Sequence, residues 1–221
     1  MNIAENILKF KSLVPDGVEI VAVSKFHPIE MIIKAYEAGQ RAFGESRVQE
    51  FLEKEKNLPK DIEWHFIGHL QTNKVKQLIG KTSLIESVDS IKLLDLIDRE
   101  SEKAEVITDI LLQVHVAEEE TKFGFYPEEI IDYFKSQEFQ KLKSTRLRGL
   151  MGMATNTVDE ERIKRDFSAI NSLYKELRKN YSESLPHFNK LSMGMSGDWA
   201  LAIEEGSNIV RIGSAIFGER Y

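Results

Sequence analysis

The sequence predicts an α/β fold, a single (β/α)8 barrel of the TIM type with an extra helix at its amino terminus. Short segments rich in β-branched residues alternate with longer segments in which apolar residues recur at helical spacing. This alternation implies right-handed crossovers and a parallel sheet, and the eight strands found in the sequence close most economically into a barrel. The length of 221 residues accommodates one such domain, spanning 1–221, without a linker or a repeat. An open doubly wound sheet is the alternative.

The first half of the chain supplies four of the predicted strands. An amphipathic helix over residues 2–13 comes first, and the strand at 18–24 is recognised by its β-branched residues. Pro28 opens the next helix and Gly39 ends it, as these residue types commonly do. The remaining elements are a strand at 41–43, a helix from 48 to 58, a strand at 63–68, a polar helix at 71–80 and a strand around 83–86.

The second half repeats the same unit. Its clearest strand is the continuous run at 109–116, and its longest helix follows Asp159, with apolar residues at helical intervals as far as Leu177. Because barrel active sites lie at the carboxyl ends of strands, the residues that follow each strand are the candidate functional residues. The other elements are a helix carrying Ile91, Leu94 and Ile97, a helix after Pro127, and strands at 147–153, through Leu191 and at 208–213.

Composition narrows the functional classes. The formal net charge of −6 argues against binding to nucleic acid or to anionic membranes, although a locally basic site for an anionic ligand stays open. The absence of cysteine excludes disulfides and thiolate metal sites and fits a reducing compartment. The amino-terminal segment contains acidic residues and no continuous apolar stretch. We therefore expect neither a signal peptide nor a membrane span, and we expect a cytoplasmic monomer.

The segment VAVSK, residues 21–25, ends the first strand with a lysine. Charged side chains avoid buried positions unless they are paired, and active sites in parallel α/β folds are assembled at the carboxyl ends of strands. Lys25 is therefore a candidate nucleophilic amine. The alternative is a lysine that merely ends the strand in solvent.

Two loops rich in serine and glycine follow the seventh and eighth strands. The first contains Ser192, Ser196 and Asp198, the last of which opens a helix. The second contains Gly213 and Ser214. Hydroxyls, exposed backbone N–H groups and a positive helix end are the elements of a phosphate site, and loops after strands seven and eight form such sites in this architecture. A flexible turn with an aspartate cap is the alternative for the first loop.

Arg211 lies within the eighth strand, two residues before Gly213. Strand alternation points both residues to the same side, which we expect to be the barrel interior, and a buried arginine requires an acceptor. Strands one and eight are neighbours in a closed barrel. Pyridoxal phosphate could therefore span the mouth, with its aldehyde at Lys25 and its ring nitrogen at Arg211. The residues alone leave a phosphorylated sugar equally open as the ligand.

Seven motifs in chain order carry a resemblance that covers nearly the whole sequence. They are VAVSK, RAFGE followed by VQE, WHFIGHLQTNK, TKFGF, RGLMGMAT, LSMGMSGDWALAIEEGS and IVRIGSAIFG. Together they resemble the pyridoxal phosphate homeostasis protein family, also called the alanine racemase N-terminal-domain-like family. The resemblance implies a barrel that binds pyridoxal 5'-phosphate as a Schiff base with Lys25. It also implies that Arg211 contacts the ring nitrogen. The phosphate site that it implies is formed by Ser192, Ser196, Gly213 and Ser214.

Three further residues are judged against this resemblance. Ser46 stands where the family commonly has asparagine, so a hydroxyl replaces an amide expected to face the cofactor, and cofactor affinity could differ. Lys122 matches a second family lysine near the barrel mouth, and its alternative is an exposed lysine in an acidic loop. His65 is expected to be a hydrogen-bonded core residue and no metal site is expected, because no second histidine lies at metal-ligand spacing.

The residues rank three functional classes. The first is a protein that holds pyridoxal phosphate and takes part in its intracellular homeostasis and its supply to apo-enzymes, with little or no catalysis. The second is a pyridoxal-phosphate-dependent amino-acid racemase, and the third is an enzyme acting on a phosphorylated metabolite. Racemisation requires acid/base groups on both faces of the substrate, and the chain ends at Tyr221 without the domain that supplies the second group in racemases. Arg211 also disfavours catalysis, because a cationic neighbour opposes protonation of the ring nitrogen.

Overall fold

Eight parallel strands close into a barrel in the computed structural model, which describes residues 2–118 and 123–219. The strands are β1 (Glu19–Val23), β2 (Ala42–Glu45), β3 (Glu63–Phe66), β4 (Leu84–Val88), β5 (Thr108–Val114), β6 (Thr145–Gly152), β7 (Lys190–Ser192) and β8 (Ile209–Ile212). Each strand pairs with its successor, and β8 pairs with β1, where Ala22 lies opposite Ile212. The predicted (β/α)8 barrel is confirmed, including the adjacency of the first and eighth strands.

Helices cover the outside of the barrel. They are α1 (Ile3–Leu13), α2 (Ile29–Glu37), α3 (Val48–Asn57), α4 (Val75–Leu78), α5 (Ile91–Lys103), α6 (Pro127–Lys135), α7 (Glu160–Asn180), α8 (Trp199–Glu204) and α9 (Ser214–Phe217), with 3₁₀ turns at Thr72–Lys74 and Glu138–Lys141. Side chains of Asn2, Ser90 and Asp159 cap α1, α5 and α7 by accepting hydrogen bonds from backbone N–H groups of the first turn. No helix in the described ranges is long and apolar enough to cross a bilayer.

The boundaries differ from the sequence-based expectation in several places. The predicted helix at 71–80 is instead a 3₁₀ turn followed by the four-residue helix α4. These two elements bury only the side chains of Val75 and Leu78, which is too little apolar surface to stabilise a longer helix. The second strand occupies Ala42–Glu45 rather than 41–43, so Glu45 is a buried strand residue. Sequence reasoning gave no helix after the eighth strand, where the structure has α9.

Side chains of the strands alternate between two layers. The outer layer packs against the helices and contains residues such as Ala22 and Phe43. Other interior positions, on β3, β4, β7 and β8, hold buried polar residues that pack against one another inside the barrel. The apolar side chains that fill the inside are those of Val21, Ala42, Leu84, Leu111, Met151 and Ile209.

Candidate functional site

Lys25 lies in a turn two residues beyond the end of β1 and is half-buried. Ser24 before it is completely buried and its N–H donates to the carbonyl of Gly44 at 3.0 Å. Phe26 after it has a φ of 67°, in the left-handed region that residues other than glycine seldom occupy. The strand therefore delivers Lys25 to the carboxyl end of the barrel, as the sequence predicted, on a tightly defined turn.

Arg211 is buried in the barrel interior and each side of its guanidinium has an acceptor. Its Nη1 donates to Ser192 Oγ at 2.5 Å and its Nη2 donates to the carbonyl of Gly152 at 2.9 Å. Nη1 also lies 3.6 Å from Glu86 Oε2, and the hydroxyl of Ser192 donates to the same carboxylate oxygen at 2.6 Å. Burial lowers the pKa of Arg211, and the negative charge of Glu86 opposes that effect. An arginine held this way stays a cation.

A chain of alternating charges connects Arg211 to the opposite end of the barrel. Lys190, at the start of β7, pairs with Glu19 at 2.7 Å (Nζ to Oε2). The other oxygen of Glu19 lies 3.4 Å from Nε2 of His65. Nδ1 of His65 lies 2.6 Å from Oε1 of Glu86, whose second oxygen faces Arg211. Positive and negative groups therefore alternate through the interior.

The pKa values of the central groups follow from this alternation. Burial alone would lower the pKa of His65, but its contacts with Glu19 and Glu86 outweigh burial and raise the pKa to about 9. Burial alone would raise the pKa of Glu19, but His65 and Lys190 lower it to about 2. The pKa of Glu86 is likewise lowered, because His65 and Arg211 outweigh the effect of burial. All of these groups are charged at neutral pH.

The loops that follow β7 and β8 meet at a pair of backbone N–H groups. The Oγ of Ser196 accepts hydrogen bonds from the N–H groups of Gly213 at 3.1 Å and Ala215 at 3.4 Å. Asp198 precedes α8, as predicted, and its Oδ1 accepts from the N–H of Met195 at 2.5 Å. N–H groups that converge on one acceptor at the start of a helix can bind an anion. Ser196 of the first loop and the N–H groups of the second loop therefore form one group of polar atoms, which we call the N–H cradle.

This cradle adjoins the turn that carries Lys25. A Cβ added to Gly213 would lie 3.4 Å from the Cβ of Val23, so the end of β8 packs directly on the end of β1. Lys25 follows Val23 by two residues, and Arg211 precedes Gly213 by two residues on the interior side of β8. The turn that carries Lys25, the buried Arg211 and the cradle thus lie on the neighbouring strands β1 and β8 and on the loops that follow β1, β7 and β8.

The structure divides the predicted site residues into two groups. Ser196, Gly213 and Ser214 lie in the cradle, where Ser214 is the exposed first residue of α9. Ser192 lies deeper, because its hydroxyl is held between Arg211 and Glu86. Ser192 was expected among the residues of the phosphate site, and in the structure its hydroxyl is hydrogen-bonded to Arg211 and Glu86 in the barrel interior.

The other residues singled out from the sequence have distinct surroundings. His65 is buried and hydrogen-bonded, which confirms the expectation of a core histidine, and no metal-binding cluster occurs within residues 2–118 and 123–219. Ser46 follows β2, is half-buried and lines a small cavity of about 240 Å³ together with Arg47 and His69. Lys122 lies outside the described residues.

Cavities occur at both ends of the barrel. A cavity of about 730 Å³ opens at the carboxyl end, where Asn156 of the loop after β6 faces Met195 and Gly197 of the loop after β7. A cavity of about 560 Å³ lies at the opposite end, around Thr145 and His187 at the starts of β6 and β7. Barrel active sites lie at the carboxyl ends of strands, so of these two cavities the first lies at the end of the barrel that carries the candidate site.

Sequence reasoning missed the carboxylates that organise the interior. Glu86 lies in the middle of β4 and Glu19 begins β1, and both point into the barrel toward His65. A charged residue inside a strand was the available signal at Glu86, since such residues are seldom buried without a partner.

Residues 1–221 match the family model described as the alanine racemase N-terminal domain. The chain belongs to this family. Among curated members it is 43% identical over 203 residues to the pyridoxal phosphate homeostasis protein of Aquifex aeolicus, which covers 91% of this chain and 87% of the relative. It is 41% identical over 208 residues to the protein of the same name from Schizosaccharomyces pombe, covering 92% and 85%. The resemblance inferred from the motifs is confirmed.

Solved structures agree with this family assignment. PipY of Synechococcus elongatus without pyridoxal phosphate is 35% identical, covers 98% of this chain and 100% of its own, and superposes with a TM-score of 0.92. The structure of PipY with pyridoxal phosphate bound superposes with a TM-score of 0.89 over the same coverage. An alanine racemase from Clostridium difficile in complex with cycloserine has a TM-score of 0.79 at 16% identity and covers 99% of this chain and 59% of its own. At that identity the likeness concerns the fold alone.

Proposed function

We propose that this protein binds pyridoxal 5'-phosphate as a Schiff base with Lys25 and takes part in the intracellular homeostasis and supply of that cofactor. The observation that supports the proposal is that the turn of Lys25, the N–H cradle and the buried Arg211 lie on the adjacent strands β1 and β8 and the loops that follow β7 and β8. The names of the curated relatives and the PipY structure with pyridoxal phosphate bound favour this ligand over a phosphorylated sugar.

The residues fit the three parts of the cofactor. When bound, pyridoxal phosphate supplies an aldehyde, a pyridine nitrogen and an anionic phosphate. Lys25 offers the amine for the aldehyde, and Arg211 offers an N–H donor for the ring nitrogen. The cradle of Ser196, Gly213 and Ser214 offers donors for the phosphate. The oxygen of Ser196 accepts hydrogen bonds from the N–H groups of Gly213 and Ala215, and the hydroxyl proton of Ser196 can still be donated to the phosphate.

The setting of Arg211 supports a binding protein rather than a catalyst. Its guanidinium can donate hydrogen bonds but cannot accept them, and Glu86, Ser192 and Gly152 hold it in place. A fixed cation beside the ring nitrogen disfavours a protonated ring, which weakens the ring as an electron sink. We therefore propose little or no turnover of amino acids.

Racemase activity is the alternative function. The observation that favours it is Tyr126, a half-exposed phenol in the segment after β5 that stacks on His115 with ring centroids 5.1 Å apart. A tyrosine at the barrel mouth could act as the second acid/base group that racemisation needs. The proposed non-catalytic role and this alternative make opposite predictions for exchange of the α-proton of alanine.

The remaining parts of the proposal concern the context in which the protein works. We propose that the chain acts as one cofactor-binding domain, as a cytoplasmic monomer, and that apo-enzymes requiring pyridoxal phosphate receive the cofactor from it. The partial exposure of Lys25 supports release, because water and small amines can then reach the bond between lysine and cofactor.

A spectral titration tests cofactor binding. Purified protein is titrated with pyridoxal phosphate, and the visible absorption of the imine is recorded for the wild type, for Lys25→Ala and for the control Lys34→Ala, which removes an exposed lysine on α2. We expect the imine band in the wild type and the control and its loss in Lys25→Ala. A full imine band in Lys25→Ala would overturn the assignment of the lysine.

Two assays test supply and catalysis. Holo-protein is mixed with an apo-enzyme that requires pyridoxal phosphate, and recovery of the enzyme's activity is compared with spontaneous release of the cofactor. We expect recovery to exceed spontaneous release, and an equal rate would reduce the role to storage. Sustained interconversion of D- and L-alanine that is lost in both Lys25→Ala and Tyr126→Phe would establish the racemase alternative.

A further inference from the structure

A second buried ionic cluster lies behind the turn that carries Lys25. Lys54 of α3 is only 4% exposed, and its Nζ donates to Glu45 Oε1 at 2.8 Å, to Glu50 Oε1 at 2.6 Å and to the carbonyl of Ser24 at 2.8 Å. An ammonium has three protons, so these three acceptors satisfy it completely. The cluster faces the helices and is separate from the charges inside the barrel.

The cluster holds the backbone on both sides of Lys25. On the amino-terminal side, Ser24 donates its hydroxyl to Glu45 Oε1 at 2.6 Å, and its carbonyl accepts from Lys54. On the carboxyl-terminal side, the N–H of Phe26 donates to Glu50 Oε1 at 2.5 Å. One oxygen of Glu50 therefore links the lysine of α3 to the residue that directly follows Lys25.

The free-energy cost of burying the charges of Lys54 and Glu45 indicates that this cluster does more than stabilise the fold. Buried ion pairs seldom stabilise a fold more than apolar residues of the same size, because both charges must leave water. Burial raises the pKa of Glu45, and its Oε2 has no hydrogen-bond partner in the described residues. Phe26 is held at a φ of 67°, and strained residues of this kind persist only where their surroundings fix them, often at functional sites.

We propose that Glu50, Lys54 and Glu45 are positioning residues that present the Lys25 amine to the aldehyde in one orientation. The inference rests on the proposed Schiff base at Lys25. In that step the amine nitrogen bonds to the aldehyde carbon, the carbon–oxygen bond breaks, and the oxygen leaves as water with the two amine protons. A lysine has four rotatable bonds, so a fixed backbone is what limits where its amine can be, and a misplacement of ~1 Å can slow such a step by up to ~10²-fold.

The test compares three variants on one helix. Glu50→Ala removes the acceptor for Phe26 and Lys54. Glu50→Gln keeps an amide oxygen that can accept both hydrogen bonds and should rescue the effect. Glu53→Ala removes an equal charge from an exposed position on α3 and is the matched control. Thermal unfolding first confirms that all three variants are folded.

Three measurements are made on each variant. They are the rate of imine formation with pyridoxal phosphate, the calorimetric affinity for 4'-deoxypyridoxine phosphate, and hydrogen exchange of the Phe26 amide in the unliganded protein. For Glu50→Ala we expect imine formation ~10-fold slower or more, an analogue affinity within twofold of the wild type, and Phe26 exchange ~10-fold faster or more. The analogue affinity of Glu50→Ala should stay close to the wild type because the analogue lacks the aldehyde. Glu50→Gln should resemble the wild type because it keeps the acceptor oxygen, and Glu53→Ala should do so because it leaves Glu50 in place.

The outcomes separate this inference from the proposed function. If the wild type forms no imine at all, the proposed function fails. If the wild type forms the imine and Glu50→Ala forms it at the same rate, or if Phe26 exchange does not change, the positioning role is overturned. Equal losses of imine formation and analogue affinity would also overturn it, because they would indicate general disruption of the site.

Discussion

Replacing Glu86 by glutamine tests the chain of charges inside the barrel. Glu86 is completely buried, with one carboxylate oxygen at His65 and the other at Ser192 and Arg211. The substitution keeps the shape of the side chain and one acceptor oxygen, but it removes the negative charge between two buried cations. We expect Glu86→Gln to lose stability and the pKa of His65 to fall substantially.

The magnitude follows from the pKa of His65. That pKa is about 9 in the folded protein against an ordinary value of 6.5, a difference of about 2.5 (9 − 6.5), which corresponds to about 3 kcal/mol. Because the folded value is raised, this stability is fully present below pH 6.5 and is lost as the pH rises through 9. The lowered pKa of Glu19 reflects the same contact with His65, so the two contributions are not added. Removing one partner of a buried ion pair typically costs about 3 to 5 kcal/mol, which agrees.

Urea unfolding at pH 6 and pH 10 measures the effect. The difference in free energy of unfolding between wild type and Glu86→Gln should be larger at pH 6, where the wild-type His65 is charged, than at pH 10, where it is neutral. The increase should be up to about 3 kcal/mol, because Glu19 also contributes to the raised pKa of His65 and remains in the variant. The control Glu63→Gln makes the same chemical change at an exposed residue of β3 and should stay within about 0.5 kcal/mol of the wild type at both pH values. A difference between wild type and Glu86→Gln that is constant from pH 6 to pH 10 would refute the reasoning.

Two further predictions concern the cradle. Ser196→Ala should weaken the binding of pyridoxal phosphate ~10-fold or more and leave the weaker binding of pyridoxal unchanged, because the variant loses a hydroxyl donor and the hydrogen bonds from Gly213 and Ala215. Titration with both aldehydes measures the effect, and equal weakening for both ligands would contradict the prediction. Gly194→Ala should reduce the free energy of unfolding by about 2 kcal/mol or more, since φ is 91° there and the new Cβ would lie 2.6 Å from the Cβ of Ala202. Gly197→Ala, where an added Cβ meets nothing within 4 Å, is its control, and equal stability of the two variants would contradict the account.

Local sequence patterns were sufficient to predict the barrel and the residues that lie at the ends of its strands. The β-branched residues before Lys25 form strand β1, which ends at Val23. Alternation within the eighth strand correctly placed Arg211 in the barrel interior. These predictions succeeded because the side-chain direction in a strand has a period of two and because parallel strands end at the same edge.

Contacts between distant parts of the chain could not be predicted in this way. Ser192 and Glu86 are 106 residues apart, and the register of the barrel alone decides that their side chains meet. Lys54 lies three residues after Phe51 on the buried face of α3, so periodicity indicates that it is buried, but only the packing of α3 on β2 shows that Glu45 is its partner. Pairings of this kind depend on how elements pack in three dimensions, and one sequence carries no signal for them.

The site of covalent attachment tests the central claim most directly. The protein loaded with pyridoxal phosphate is reduced with borohydride, digested and analysed by peptide mass spectrometry. The account predicts one pyridoxyl group per chain, on Lys25. A predominant label on Lys122 or Lys34, or no stable label, would contradict it.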